Sequence, residues 1–283
     1  MKVEDLIVEG KKQVHSDFAK MLLSDLLGIN SLQLYDYLDK EVSEDIKDKY
    51  FEKIGLLKQD KPVQYVIGNV NFYGLTFKVN ENVLIPRFET EELVENTIRL
   101  IKEKFPEKKN LKIIDLGCGS GAIGLTLKHF LPDADITLLD ISERALEVAK
   151  ENVSNLGLDV NFVLGDMLEE VNDKFDVIIS NPPYIETNEE IDKIVLDNEP
   201  ALALFGGDDG LDLYRKILSN CKKNLNDEFI IAFEIGYSQE SRIIELAHKN
   251  LENITAYGKK DLSRRDRMIF ILNISSKKAS HFD

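Results

Sequence analysis

A chain of 283 residues with 43% hydrophobic side chains can build one large domain or two modest ones around a substantial core. Its net charge of −15 argues against nucleic acid as the main substrate, because such affinity comes largely from a basic face that neutralises phosphates. Two cysteines, Cys118 and Cys221, are too few for a disulfide framework or a zinc site. No apolar run approaches the roughly 20 residues that span a bilayer, and the acids in the opening MKVEDLIVEGKK are unlike a signal peptide, so a cytoplasmic protein is expected.

The first 60 or so residues read as helical. Phe18, Met21, Leu22 and Leu26 recur at i, i+3, i+4 and i+8, which predicts one amphipathic helix. Gly28-Ile29-Asn30 interrupts the pattern and SLQLYDYLDKEV resumes it. Ser43 can cap a further helix on which Ile46, Tyr50 and Ile54 share a face. These segments predict a small helical bundle ending at KQDKP.

Residues 63–85 change period, with Val, Ile, Phe and Tyr dominating between the turn signals at Gly68-Asn69, Gly74 and Asn80–Asn82, and read as a hairpin. PRFETEELVENTIRLIKEKF follows, with Pro86 near a helix start and acids in the first turn, where the helix dipole favours them. From residue 111 the segments LKIIDLG, DITLLDIS, NFVLGD, FDVIIS, EFIIAFEIG and DRMIFILNI read as strands, with helical stretches between them. That alternation predicts an α/β fold with a doubly wound, mainly parallel sheet, whose ligands bind beyond the carboxyl ends of the strands. The expected divisions are a helical domain over 1–62, a β-hairpin linker over 63–85, a catalytic domain over 86–276 and a flexible tail over 277–283.

The chemistry-bearing motifs fall at those strand ends. DLGCGSGAIG follows the first strand of the sheet; glycines at 117, 119 and 121 let the backbone turn tightly and a ligand approach closely. The same stretch contains Gly119-x-Gly121-x-x-Gly124, so its spacing suits a nicotinamide dinucleotide as well as S-adenosylmethionine. Asp115, two residues before the first glycine, is not required by the dinucleotide pattern but can serve a cofactor that carries a free amino group. Asp140 ends the second strand, where a carboxylate can accept from both ribose hydroxyls. Asp166, at the end of the third strand, can reach an adenine amino group with Met167 against the ring; a solvated turn acid is the ordinary alternative. Cys118 fills space, and the scattered histidines suggest no metal site.

The fourth strand runs into Asn181-Pro182-Pro183-Tyr184. Prolines end strands and Asn suits turns, so this stretch alone would be an ordinary turn. Beside an adenosyl sulfonium it acquires a chemical use. A planar nitrogen is a poor nucleophile because its lone pair is delocalised. The Asn181 side-chain oxygen and the Pro182 carbonyl can each accept one of its hydrogens and favour the pyramidalised, partly positive nitrogen of the transition state. Pro183 stiffens the turn and an exposed Tyr184 ring offers a flat wall.

Together, GNVNFYGLTFKV, VLIPRFETEELV, DLGCGSGAIG, NPPYI and EPALALFGGDDGLDLYRKI closely resemble the HemK-type family of peptide-chain-release-factor glutamine N5-methyltransferases, over nearly the whole chain. The resemblance implies a class I S-adenosylmethionine-dependent methyltransferase with a Rossmann-like, seven-stranded, mainly parallel sheet, a small N-terminal helical bundle that grips a protein substrate, and a linking β-hairpin. It implies methyl transfer from S-adenosyl-L-methionine, leaving S-adenosyl-L-homocysteine, to the glutamine amide of the Gly-Gly-Gln motif in release factors. Carried onto this sequence, cofactor contacts fall on Gly117, Cys118, Gly119, Ser120, Gly121, Asp140, Asp166, Met167 and Asn181, and substrate contacts on Asn181, Pro182, Pro183 and Tyr184. Met167 stands where the family often has an aromatic residue, and PRFETE departs from the commoner Pro-Arg-Pro-Asp-Thr-Glu, so Arg87 and Glu89 are given no catalytic role. A monomer is expected. The rival reading is an exocyclic-amine N-methyltransferase of adenine or guanine, with Tyr184 stacking on a flipped base; the acidic charge and the lack of a basic recognition segment oppose it. A nicotinamide oxidoreductase would leave Asn-Pro-Pro-Tyr unexplained, and a non-catalytic adaptor would leave loop, acid and turn without a use.

Overall fold

The computed structural model describes residues 1–273, so the tail expected over 277–283 lies outside the described residues. The chain forms two compact units, one of Met1–Asn69 with Ile191–Asn198, the other of Val70–Glu190 with Glu199 onward. Among the described residues no helix is long and apolar enough to cross a membrane.

The first unit contains α1 (Val3–Lys11), α2 (Ser16–Leu27), a 3-10 turn over Gln33–Tyr37, α3 (Glu44–Leu57) and α4 (Val63–Ile67). The buried face of α2 is carried by Ala19, Leu22 and Leu23, while Phe18 and Met21 are exposed. The expected stripe is therefore rotated, with Ala19 and Leu23 turned inward beside Leu22 in place of Phe18 and Met21. Ser43 Oγ accepts from Ile46 N–H and caps α3, burying Tyr50 and Ile54 as expected. Residues 63–67, expected as strand, are helical. Pro62 precedes the first turn and Gly68, at φ +93°, closes the last, so tertiary burial of Val63 and Val66 overrides their β-branched preference.

In the second unit β1 (Asn69–Phe72) and β2 (Leu75–Lys78) pair around Tyr73-Gly74, both at positive φ, a tight hairpin shorter than the expected 63–85. There follow α5 (Phe88–Lys104), β3 (Lys112–Leu116), α6 (Ala122–Phe130), β4 (Asp135–Asp140), α7 (Glu143–Leu156), β5 (Asn161–Leu164) and β6 (Phe175–Ser180). The remaining elements are α8 (Lys193–Asn198, within the first unit), α9 (Asp212–Asn220), β7 (Leu225–Glu234), α10 (Glu240–Asn250), β8 (Thr255–Lys260) and β9 (Asp266–Asn273).

Seven strands form one sheet in the order β5-β4-β3-β6-β7-β9-β8. The first five are parallel, and β9 runs antiparallel to both β7 and β8. Successive residues alternate between two apolar layers: Ile113, Val177, Ile179, Ile230 and Ala232 face one, Ile114, Ile178, Ile231 and Phe233 the other. Burial on both faces is why these strands read as continuous apolar runs. The strand β8, TAYGKK, is polar and lies at the sheet edge, so it carries no such signal.

Chain order reverses between β3 and β6. Their register sets Leu116 beside Ser180, and Ser180 Oγ donates to the Leu116 carbonyl at 2.6 Å. The next residues on each strand are Gly117 and Asn181, so the glycine loop and the Asn-Pro-Pro-Tyr turn emerge side by side at the switch point.

Candidate active site

A cavity of about 400 Å³ opens at that switch point, lined by Gly117, Cys118, Gly119, Ser120, Asp140, Asp166, Met167, Asn181 and Pro183 among others. Gly117, Gly119 and Gly121 take φ of +69°, +54° and +80°, the left-handed region, which other residues enter only under strain. A side chain at Gly119 would meet no protein atom within 4 Å, and one at Gly117 only the Met167 Cε at 4.0 Å. The bare backbone thus leaves room that a bound molecule can fill.

Asp140 is 8% exposed at the end of β4. Its Oδ2 accepts from Gly119 N–H and its Oδ1 from Ser142 N–H, both at 2.8 Å. Burial raises its pKa, while the Ser142 and Gly119 N–H groups draw it back down. A carboxylate has about four acceptor sites, so Asp140 keeps capacity for a hydroxyl. The carboxylate therefore fixes the loop and faces the cavity at once, which fits a ribose.

Asp115 occupies a different position from the one its sequence neighbours suggest. It is fully buried, and its Oδ2 accepts from Gly124 N–H at 2.9 Å, pinning the first turn of α6. Its Oδ1 has no partner. Burial pushes the carboxyl up to about 7, the nearby Asp140 adding to the rise and the Gly124 N–H opposing it. Cys118 is buried with its thiol pKa well above the ordinary value, as desolvation requires, and its N–H donates to the Leu139 carbonyl at 2.9 Å. Asp166 pairs with Lys216 Nζ at 2.6 Å, and Lys216 also reaches Glu169 at 2.8 Å. Met167 takes φ +55° and buries its thioether against the cavity.

Pro182 is buried; Asn181, Pro183 and Tyr184 are half-buried. The ring of Tyr184 is not the free, exposed surface expected. It packs on the apolar layer beneath α9 and α10, its hydroxyl donates to Glu234 Oε1 at 3.4 Å, and Arg267 donates to that hydroxyl at 3.4 Å. Asn181 Nδ2 donates to Thr90 Oγ1 at 3.2 Å, and Thr90 Oγ1 donates to Glu234 Oε2 at 2.6 Å. Among the described residues none donates to Asn181 Oδ1 or to the Pro182 carbonyl.

The segment GGDDG explains itself against this turn. A Cβ at Gly206 would stand 2.5 Å from the Pro183 carbonyl oxygen, and one at Gly210 2.3 Å from that of Tyr184. Only backbone fits so close. Gly206 N–H also donates to the Ile185 carbonyl at 2.9 Å, and Ile185 N–H donates to that of Leu204 at 3.0 Å.

Reading the sequence missed Thr90, Glu234, Gln239 and Arg267. Glu234 carried a usable signal, an acid at the end of the apolar run FIIAFE. Thr90 stands in PRFETE where the commoner Pro-Arg-Pro-Asp-Thr-Glu also has Thr, but only the packing of α5 shows that it meets Asn181.

The region 88–198 matches the family model described as "Methyltransferase small domain", and 12–68 that described as "PrmC N-terminal domain". A Streptococcus pneumoniae protein named "Release factor glutamine methyltransferase" is 39% identical over 95% of this chain and 94% of its own. One of the same name from Flavobacterium psychrophilum is 46% identical over 75% of this chain and 76% of its own. The crystal structure of the hMettl16 catalytic domain in complex with MAT2A 3′UTR hairpin 1 aligns at TM-score 0.58, with 16% identity over 92% of each chain. That of a methyltransferase from Pyrococcus furiosus aligns at 0.54, with 16% identity over 82% of this chain and all of its own. Identities this low establish the methyltransferase fold alone.

Proposed function

The chain belongs to the release factor glutamine methyltransferase family, and from that premise we propose that it methylates the side-chain amide nitrogen of the glutamine in the Gly-Gly-Gln motif of release factors. S-adenosylmethionine, when bound, supplies an electrophilic methyl carbon and leaves as S-adenosylhomocysteine. The Cβ-free loop at Gly117 and Gly119, with Asp140 beside it, fits its nucleoside and amino-acid moieties. Asp140 would hold the ribose and Met167 would lie against the base. Asp166 reaches the base amine once it shares or releases Lys216.

At the Asn-Pro-Pro-Tyr turn, Asn181 Oδ1 accepts one hydrogen of the substrate amide and the Pro182 carbonyl the other. Held so, the nitrogen lone pair would face the methyl donor, and the proton that alkylation makes surplus on the nitrogen would pass to water. No base is required, because an alkylated amide nitrogen is strongly acidic. Tyr184, anchored by Glu234 and Arg267, holds the turn from the apolar layer rather than lining the cavity. The observation that carries this reading is the orientation of Asn181. Its amide nitrogen is committed to Thr90, which leaves its oxygen as an unused acceptor beside the cavity.

The helical unit would help grip the protein substrate, and the enzyme would work as a cytoplasmic monomer. Purified protein with radiolabelled S-adenosylmethionine should label a bacterial-type release factor and not its Gln→Ala variant. Label on total RNA or DNA instead would overturn the substrate assignment in favour of a base amine.

A further inference from the structure

Asn181 can present either its oxygen or its nitrogen to a bound amide, and only the oxygen can accept a hydrogen. Nothing within Asn181 itself selects between the two, because a 180° turn of the carboxamide exchanges them with little steric change. The choice is made by its neighbour. Thr90 is 4% exposed and Glu234 1% exposed, so no water competes for their polar atoms. A hydroxyl has one proton. With that proton held by Glu234 Oε2 at 2.6 Å, Thr90 Oγ1 can only accept, and it accepts from Asn181 Nδ2 at 3.2 Å.

Resting on the proposed methyl transfer to an amide, we infer that Glu234 is a positioning residue that acts through Thr90 to fix the acceptor oxygen of Asn181 toward the substrate nitrogen. The topology makes the arrangement possible. In the β6–β7 register Ser180 lies beside Phe233, so Asn181 and Glu234 are the next residues along neighbouring strands. The helix α5 supplies Thr90 between them. Glu234 is held in turn: Tyr184 donates to its Oε1, and its backbone carbonyl accepts from the Tyr214 hydroxyl at 2.7 Å. One carboxylate therefore holds both Thr90 and the Tyr184 hydroxyl.

The test uses the full chain with a release factor as substrate. Thr90→Val keeps the shape but removes the hydroxyl, and should lower kcat about 10- to 100-fold, less than the roughly 100- to 1,000-fold of deleting a preorganised transition-state hydrogen bond, because Asn181 itself remains. KM for the release factor and Kd for the cofactor should stay within twofold, and Thr90→Ser should restore most of kcat. Glu234→Gln should lower kcat in the wild-type background and lower it by a clearly smaller factor in Thr90→Val, where only its hold on Tyr184 is left to lose. Additive losses, or failure of Thr90→Ser to rescue, would overturn the inference.

A second readout does not depend on substrate identity. The Asn181 side-chain amide signals in an ¹⁵N spectrum, assigned by their loss in Asn181→Asp, should shift and broaden in Thr90→Val as the carboxamide gains freedom. Unchanged signals would sink the inference even if turnover falls. Turnover of nucleic acid instead of release factor would sink the proposed function while the spectrum still decides the role of Glu234.

Discussion

Gln239 Nε2 donates to the Tyr184 carbonyl at 2.9 Å and to that of Gly210 at 3.2 Å. One buried amide thus joins the substrate turn to the glycine-rich segment after it. Its own oxygen is held by Gly236 N–H at 2.9 Å. The turn is a clamped assembly of backbone, which is what a pair of acceptors needs to be in place before the substrate arrives.

Gly210→Ala is expected to break that clamp. The new methyl would stand 2.3 Å from the Tyr184 oxygen and 2.5 Å from Gln239 Nε2, at φ +69°. Methyl transfer should fall at least tenfold, with cofactor affinity little changed by calorimetry. Gly157→Ala is the control: it has a similar φ of +62° and open space around it. It should cost about 1 kcal/mol of stability and leave turnover unchanged. Equal effects of the two variants on activity would refute the clamp.

Asp140→Asn should weaken cofactor binding about 10- to 100-fold, as expected when charge-assisted hydrogen bonds of roughly 1.5–3 kcal/mol are replaced by neutral ones. Part of the loss would come from the loop, because the same carboxylate holds Gly119 and Ser142 N–H. Titration calorimetry with S-adenosylhomocysteine reads the effect directly. An unchanged Kd would remove Asp140 from the nucleoside site.

Arg87 is paired with Glu199, whose side chain is 2% exposed and whose second oxygen accepts from Ile85 N–H at 3.1 Å. The pair ties together two stretches that both line the cavity, one through Val83, Leu84 and Pro86, the other through Pro200, Leu202 and Ala203. Arg87→Leu leaves a buried carboxylate uncompensated and should destabilise the protein by about 2–3 kcal/mol, moderated because the guanidinium is about a third exposed. Cofactor release should also quicken in stopped-flow. If melting temperature and release rate both match wild type, the pair holds nothing.

Burial pushes Glu234 up to about 7, against the Thr90 hydrogen bond and the Arg267 charge that lower it, while Glu89 adds to the rise. Asp115 stands at about 7 for the same first reason. Each is protonated in the fold and ionised in the unfolded chain between its ordinary pKa, near 4, and about 7. Their stabilising contributions are therefore complete below pH 4 and lost as pH rises through 7. Asp115→Asn should reduce that decline, measured as the difference in urea unfolding free energy from wild type at pH 5 and pH 8. The turnover effect runs the other way: ionised Glu234 accepts the Thr90 proton, so kcat should rise with pH through about 7. A flat profile in that range would count against it.

Much of the site was legible one strand at a time. An apolar run ending in a small or acidic residue located β3, β4 and β6 and, with them, the glycine loop, Asp140 and Asn181, because strand ends in a parallel sheet are where side chains meet ligands. The polar edge strand β8 carries no apolar period, and α4 is too short for the helical spacing of Val63, Val66 and Ile67 to outweigh their β-branched preference. Asp115 was placed near the cofactor by its sequence neighbours, yet its carboxyl oxygen binds Gly124 beneath the loop.

The sequence by itself determined which backbone could bend at Gly117, Gly119 and Gly121, and which turn could carry two fixed acceptors, because bond rotation and proline rings are local properties. Which end of Asn181 faces the cavity depends on Thr90, Glu234 and Tyr184. These residues stand 91, 53 and 3 positions away along the chain. Hydrogen-bond direction is a property of neighbours in space, so only the packing of α5 and β7 against β6 could decide it.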